Sequence, residues 1–203
     1  MSKVKLHLGC GEKDFGEDWI HIDGGDFPHL HSHDVTQLPF KDESVDLIYA
    51  SHLLEYFDRE EAVKVLSEWR RVLKYPPGGP GGILRLAVPD FETMVILYLW
   101  KKEYKLESFL GPLYGKMNMD KVTLDTDYEI GIEPQTVYHK TVYDLDSLTE
   151  LLESVGMENI HKYSWRETEH SEFDDHSQAF FPHMDKEKGI LISLNVECTK
   201  KEL

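Results

Sequence analysis

The sequence is poor in cysteine, in basic residues and in long apolar runs, and each scarcity closes off a class of protein. Cys10 and Cys198 are the only cysteines in 203 residues. Two thiols so placed make neither a disulfide scaffold nor a metal-ligand pair, and a reducing, cytoplasmic setting is expected. Lys and Arg number 22 against 38 Asp and Glu, a formal net charge of −16. Such a surface repels phosphate backbones and anionic lipid, which argues against general nucleic-acid or membrane binding. No apolar run approaches the roughly 18 residues of a membrane span. The opening MSKVKLHLGCG reads as the start of a fold rather than a secretory leader. Internal repeats and low-complexity tracts are also missing. What is present is 40% hydrophobic and 11% aromatic residues, enough for a packed core in one domain spanning 1–203.

Strand and helix patterns alternate along the chain. Residues 4–8 predict a strand closed by Gly9, Cys10 and Gly11, and 19–22 a second closed by Asp23. The link between them has ten residues, 9–18, at the lower limit of about 10–12 for a parallel crossover. Its helix is therefore very short or replaced by a loop. Residues 45–50 are almost continuously apolar, as a strand buried on both faces requires, and a short edge strand is expected at 34–35. The strongest helix is 58–73, with Ala62, Val65, Leu66, Trp69, Val72 and Leu73 on one face and a capping-box start at Asp58 and Glu61. A strand at 83–88, a helix at 144–155 stopped by Gly156, and strands at 159–164 and 190–198 complete the pattern. The alternation predicts an α/β, Rossmann-like, mainly parallel sheet with helices on both faces. Between 91 and 140 the pattern loosens while Tyr98, Trp100, Tyr104, Phe109, Tyr114, Tyr128 and Tyr138 accumulate. That segment reads as an inserted helical or irregular cap over a substrate site, or as an extra layer of core.

In open α/β sheets, ligands bind at the carboxyl ends of the strands. There the sequence offers Gly9 to Gly11, Asp23, the segment ASHLLE at 50–55, and Pro89 with Asp90. Glycines let a backbone approach a ligand closely, and a carboxylate accepts two hydrogen bonds, as a ribose offers. A dinucleotide site wants a third glycine where Asp14 stands, and Glu12 and Asp14 would repel a pyrophosphate. S-adenosylmethionine carries no phosphate and is cationic at its sulfonium and ammonium groups, so an acidic loop suits it.

The ordered series LHLGCG at 6–11, IHID at 20–23, Asp34 with LPF at 38–40, SVDLIYASHLLE at 44–55, EWRRVLK at 68–74 and LRLAVPDF at 84–91 resembles the class I S-adenosylmethionine-dependent methyltransferases. In particular it looks like the small bacterial type with a shortened first helix. The resemblance covers about residues 4–91. It implies that Gly9, Cys10 and Gly11 line the methionine part of S-adenosylmethionine and that Asp23 binds the ribose. It further implies that Asp34, Val35 and Leu38 flank the adenine and that Ser51 and His52 face the reactive end. Tyr56 departs from the pattern, which often has His there. The Pro- and Gly-rich turn at 75–82 is expanded, on the side of the sheet away from the cofactor.

Methyl transfer needs a nucleophile held roughly 3–3.5 Å from the methyl group. An alcohol acceptor also needs a general base, most often His. His139, before the second good helix and beside the aromatic insert, is the first candidate, and His52 the second; either could instead be structural. His29, His31 and His33 alternate and would share one face of a strand, but no ligand set completes them and no metal is expected. His170, Asp174, Asp175 and His176 make a polar loop cluster that could touch substrate. Beside Glu12 and Asp14, Cys10 is not a nucleophile, and adjacent Ser51 and His52 are no triad. The leading reading is a methyltransferase acting on a small-molecule or sugar-containing acceptor. The alternative is a non-catalytic cofactor-binding or protein-interaction module of the same fold. A nucleotide-dependent oxidoreductase is a third reading.

Overall fold

The computed structural model describes residues 3–75, 79, 81–102, 104–119 and 135–202. Five strands come first: β1 (Lys5–Leu8), β2 (Ile20–Ile22), β3 (Leu30–Ser32), β4 (Leu47–Ser51) and β5 (Ile83–Pro89). With β6 (Met157–Lys162) and β7 (Ser193–Lys200) they form a seven-stranded sheet in the order β3-β2-β1-β4-β5-β7-β6. β7 runs antiparallel to β5 and β6, and the other pairings are parallel. The helices are α1 (Arg59–Val72), α2 (Phe91–Trp100), α3 (Leu110–Tyr114) and α4 (Leu145–Ser154). The mainly parallel Rossmann-like sheet read from the alternating pattern is the one observed.

The two faces of the sheet are chemically different. Leu6, Leu8, Ile48, Ala50, Leu84, Leu86 and Val88 point to one face, where α1 and α4 cover them with Val65, Leu66, Trp69, Leu148 and Leu152. The opposite positions carry His7, Tyr49 and Arg85. No helix forms between β1 and β2, because the short link has no room for one, so side chains from loops cover this face. Phe15 stacks on His7 at 4.0 Å and on Phe173 at 4.5 Å, and His170 lies 4.0 Å from the Tyr49 ring. Arg85 is held by Glu169 and Glu197, each at 2.7 Å.

The EWRRVLK motif gains a physical meaning. Trp69 is fully buried, and its indole N–H donates to the Val35 carbonyl at 2.7 Å. Glu68 accepts from the Leu38 amide at 2.8 Å, and Arg71 binds Glu68 and donates to the Phe40 carbonyl at 3.0 Å. One face of α1 thereby holds the segment before β4 in place. The α1 N-terminus has the capping box predicted for it: Asp58 accepts from Glu61 N, and Glu61 reaches back to Asp58 N.

Three local expectations are corrected. The edge strand is Leu30–Ser32, not 34–35; there the Asp34 carboxylate accepts from the Thr36 amide at 2.7 Å, and this local turn competes with a strand. The run 190–198 divides: Ile190–Leu191 pairs with Phe180–Phe181, and β7 begins after Ile192. The 159–164 strand starts earlier, at Met157, and passes Asn159 at φ 56°. Within 91–140 the chain forms α2, α3 and a short antiparallel ladder of Met117–Met119 with Gln135–Val137. Tyr128 lies outside the described residues.

The division between core and cap is measurable by urea titration. Leu66→Ala, at a fully buried α1 position, should lower the unfolding free energy by about 2–5 kcal/mol. Asp58→Ala should lower it by about 1 kcal/mol. A smaller loss at Leu66 than at Asp58 would contradict the packing described.

Candidate active site

Parallel pairing brings the carboxyl ends of β1, β2, β4 and β5 to one edge of the sheet. After β1 the chain turns sharply at Gly9, whose φ is 65° and whose amide donates to the Ile22 carbonyl at 2.8 Å. A Cβ there would meet Leu53 side-chain atoms at 2.9–3.0 Å, so both the turn and the close approach require glycine. Asp23 closes β2. Its Oδ2 accepts from the Gly11 amide at 2.8 Å and its Oδ1 from the Gly25 amide at 2.7 Å. Each oxygen keeps a further lone pair for a ligand hydroxyl. Cys10 is 4% exposed, with Sγ 3.7 Å from His29 Nε2. Burial, and then the nearby Asp23 charge, push its thiol up to about 12. It stays a thiol at neutral pH, in line with its exclusion as a nucleophile.

The other predicted cofactor positions divide. Asp34 is exposed and bound to Thr36, Val35 gives its carbonyl to Trp69, and Leu38 is buried in the core beside α1. Ser51 ends β4 with a buried hydroxyl that has no partner among the described residues. His52 follows with φ at 50°, its amide bound to the Ala87 carbonyl. Its side chain is 13% exposed.

His52 and His139, distant in sequence, meet at a side chain that the sequence reading did not single out. Glu55 is fully buried, and neither of its carboxyl oxygens has a hydrogen-bond partner among the described residues. Its Oε1 lies 3.4 Å from His52 Nδ1 and 3.7 Å from His139 Nε2. Burial pushes its carboxyl up to about 8. The Glu55 carbonyl accepts from the Lys140 amide at 2.8 Å, which fixes the 139–141 segment beside it. The signal in the sequence is an acidic residue inside an apolar run, between Leu53, Leu54 and Tyr56, Phe57. Such a position is rarely solvated.

Both His139 nitrogens face inward. Nδ1 is 3.0 Å from the Pro112 carbonyl, Nε2 faces Glu55, and a Cβ on Gly115 would come within 1.8 Å of Nε2. His52 Nε2 instead points to Ser193 Oγ at 3.3 Å, and the exposed His176 lies 5.0 Å from the His52 ring. Burial lowers the basicity of both His52 and His139, and His176 lowers each further. A cavity of about 210 Å³ opens beside Ser193, with Asp90, Thr93 and Asn195 in its wall.

The remaining polar clusters separate. His170 belongs to the aromatic face, Asp174 pairs with Lys186 at 2.9 Å, and Asp175 accepts from Tyr49. Only His176 reaches the carboxyl edge at His52. His29 packs toward Cys10, and His33 Nδ1 lies 2.9 Å from the Gly25 carbonyl. Among the described residues no group of three His, Cys, Asp or Glu side chains is arranged to hold a metal ion.

Residues 6–85 match the family described as the methyltransferase domain. A solved S-adenosylmethionine-dependent methyltransferase from Archaeoglobus fulgidus is similar, with TM-score 0.55 at 15% identity over 98% of this chain and 86% of that one. Another, from Methanosarcina mazei, gives TM-score 0.54 at 17% identity over 100% and 95%. No curated protein matches the sequence. The chain has the fold of the class I S-adenosylmethionine-dependent methyltransferases, as its motif series implied.

The glycine loop can be tested without any ligand. Gly9→Ala adds a clash with Leu53 to the strain of a positive φ, whereas Gly11→Ala, at φ 53° with nothing within 4 Å, adds strain alone. Gly11→Ala should cost about 1–2 kcal/mol, and Gly9→Ala clearly more, in parallel denaturation experiments. Equal costs would remove the role given to the Leu53 contact.

Proposed function

We propose that this protein transfers a methyl group from S-adenosylmethionine to a small-molecule or sugar-containing acceptor that must lose a proton to react. The observation that carries the reading is one edge of the sheet holding both a glycine cradle closed by Asp23 and a buried His–Glu cluster. The cradle fits a cationic, phosphate-free cofactor. Gly9 lets the backbone approach, Asp23 keeps lone pairs for ribose hydroxyls, and Glu12 and Asp14 supply negative charge. Cys10 and Gly11 would flank the methionine part. Asp34, Val35 and Leu38 would border the adenine, the last two through backbone held by α1. Ser51, with its unpartnered hydroxyl, and His52 would face the reactive end.

Of the two candidate bases, His52 is the one we assign. Among the described residues its Nε2 has only the long contact to Ser193, while His139 is enclosed by Pro112, Glu55 and Gly115. His139 then supports the cluster from behind. The described parts of the segment 91–140 act as a cap within the one domain. Its α2 exposes Tyr98, Leu99 and Trp100, side chains suited to closing over an organic acceptor.

Calorimetry with S-adenosylmethionine and S-adenosylhomocysteine tests the cofactor. Wild type should bind saturably, and Asp23→Ala should weaken binding by about 1.5–3 kcal/mol, the worth of hydrogen bonds to a charged group. Folded wild type that binds neither compound would leave the protein-interaction reading in its place.

In a screen of acceptors with labelled cofactor, His52→Asn should lower turnover about 10²–10⁴-fold while leaving cofactor affinity within about twofold. A variant with full turnover would remove His52 as the base.

A further inference from the structure

The direction of each hydrogen bond around Glu55 can be deduced from groups with no freedom. Asn195 donates its amide to the Ser177 carbonyl at 2.8 Å, so its Oδ1 must accept, and the Ser193 hydroxyl donates to it at 2.8 Å. Ser193 therefore meets His52 with a lone pair, and His52 carries its proton on Nε2. That leaves His52 Nδ1 bare, facing Glu55 Oε1 at 3.4 Å. The Pro112 carbonyl can only accept, so His139 carries its proton on Nδ1, and its bare Nε2 faces the same oxygen at 3.7 Å. Two lone pairs converge on one fully buried carboxyl oxygen. An ionised carboxylate there would have no donor among the described residues, so the oxygen carries a proton.

We propose that Glu55 is a positioning residue that acts through His52 and takes up the proton lost by the acceptor. The proposal rests on the assignment of His52 as the base. In the working state Glu55 is ionised and His52 is protonated on Nδ1, donating to Oε1, so Nε2 is free. The acceptor's bond to hydrogen breaks and that proton bonds to Nε2. The Nδ1 proton passes to Oε1, and the acceptor atom keeps the electron pair that takes the methyl group. The products of the relay are a neutral Glu55 and a His52 protonated on Nε2, which is the arrangement deduced above. Between turnovers the Oε1 proton returns to Nδ1 and the Nε2 proton leaves to solvent past the exposed His176.

Electrostatics favours this role over that of a permanently charged carboxylate. A carboxylate that only orients an imidazole is kept ionised by donors around it. In the arrangement deduced above Glu55 has none among the described residues, and its neutral form leaves no unpaired charge between the two imidazoles. Its acidity, with a midpoint at about 8, suits proton uptake near neutral pH. The groups facing the cluster are His52, His139, His176, Tyr56, Tyr143 and, over the Tyr143 ring at 4.5 Å, Arg59. Burial holds the acidity of both tyrosines low, up at about 12, so neither competes for the proton. The folded carboxyl binds its proton more tightly than the unfolded one. Its contribution to stability is therefore complete below pH 4.5 and is lost as pH rises through about 8.

The test is imidazole nitrogen magnetic resonance on substrate-free protein from pH 5 to 9.5, for wild type and Glu55→Gln. In wild type His139 should stay protonated on Nδ1 throughout. His52 should switch from Nε2–H to Nδ1–H with a midpoint near the carboxyl's value of about 8. Glu55→Gln keeps the size and shape of the side chain but cannot ionise. It should hold His52 in one tautomer across the range and lose the part of the fall in thermal stability that the carboxyl causes between about pH 4.5 and 8. A wild-type His52 that keeps one tautomer to pH 9.5, or a switch that survives in Glu55→Gln, would overturn the proposal. The wild-type titration decides even if the variant folds poorly. Calorimetry with S-adenosylmethionine on the same samples reports separately on the methyl-transfer reading. Where an acceptor is in hand, wild-type turnover should rise with pH to a plateau above about 8, and the Glu55→Gln rate should be at least tenfold lower and flat.

Discussion

Parallel pairing of β1 with β4, and of β4 with β5, is the constraint on which the site depends. Side chains from one end of each strand must then meet at one edge, whatever their separation in the chain. The Gly9 turn, Asp23 and His52 share that edge because their strands point the same way. The antiparallel entry of β7 adds a second consequence. Its first residue, Ser193, pairs with Pro89 and so begins at the edge where the parallel strands end. A residue late in the chain is thereby placed against His52. Leu53, packed on Gly9, ties the glycine loop to the segment that carries His52 and Glu55.

Much of this was legible in the sequence because it is local. Strand and helix periodicity, the Asp58 capping box and the ten-residue link after β1 are each set by neighbours in the chain, and each is observed. The motif series was legible for the same reason, and it gave the fold. Glu55 was not, because its significance lies in what surrounds it: two imidazoles, one of them 84 positions further on, and a carbonyl from α3 (Pro112). His139 illustrates the same limit. Its place before α4 drew attention to it, but only packing shows both its nitrogens turned inward. Leu38 and Val35, met as neighbours of an adenine site, are held by α1, through partners 30 and 34 positions away that no local pattern announces.

The short link after β1 shapes the far side of the molecule as well. With no helix to cover it, that face of the sheet is filled by Phe15, Trp19 and Phe173 over His7 and Tyr49. Rings fill a gap that a helix would otherwise span, and their polar edges are part of the solution. Tyr49 reaches Asp175, and the Phe15 amide donates to His21 at 2.9 Å. The loop carrying Asp175 also carries His176. The layer that completes the core on one face therefore continues to the carboxyl edge beside His52.

The backbone at His52 carries a further consequence. A φ of 50° is a conformation in which glycine would rest at no steric cost, and a histidine stands there instead. The fold gives up stability at the one residue whose ring joins Ser193 to Glu55. A search for hardier variants, made in ignorance of any reaction, would be drawn to replace this histidine with glycine. If His52 is the base proposed above, the gain in robustness would mark the place where durability and chemistry make opposite demands on a single residue.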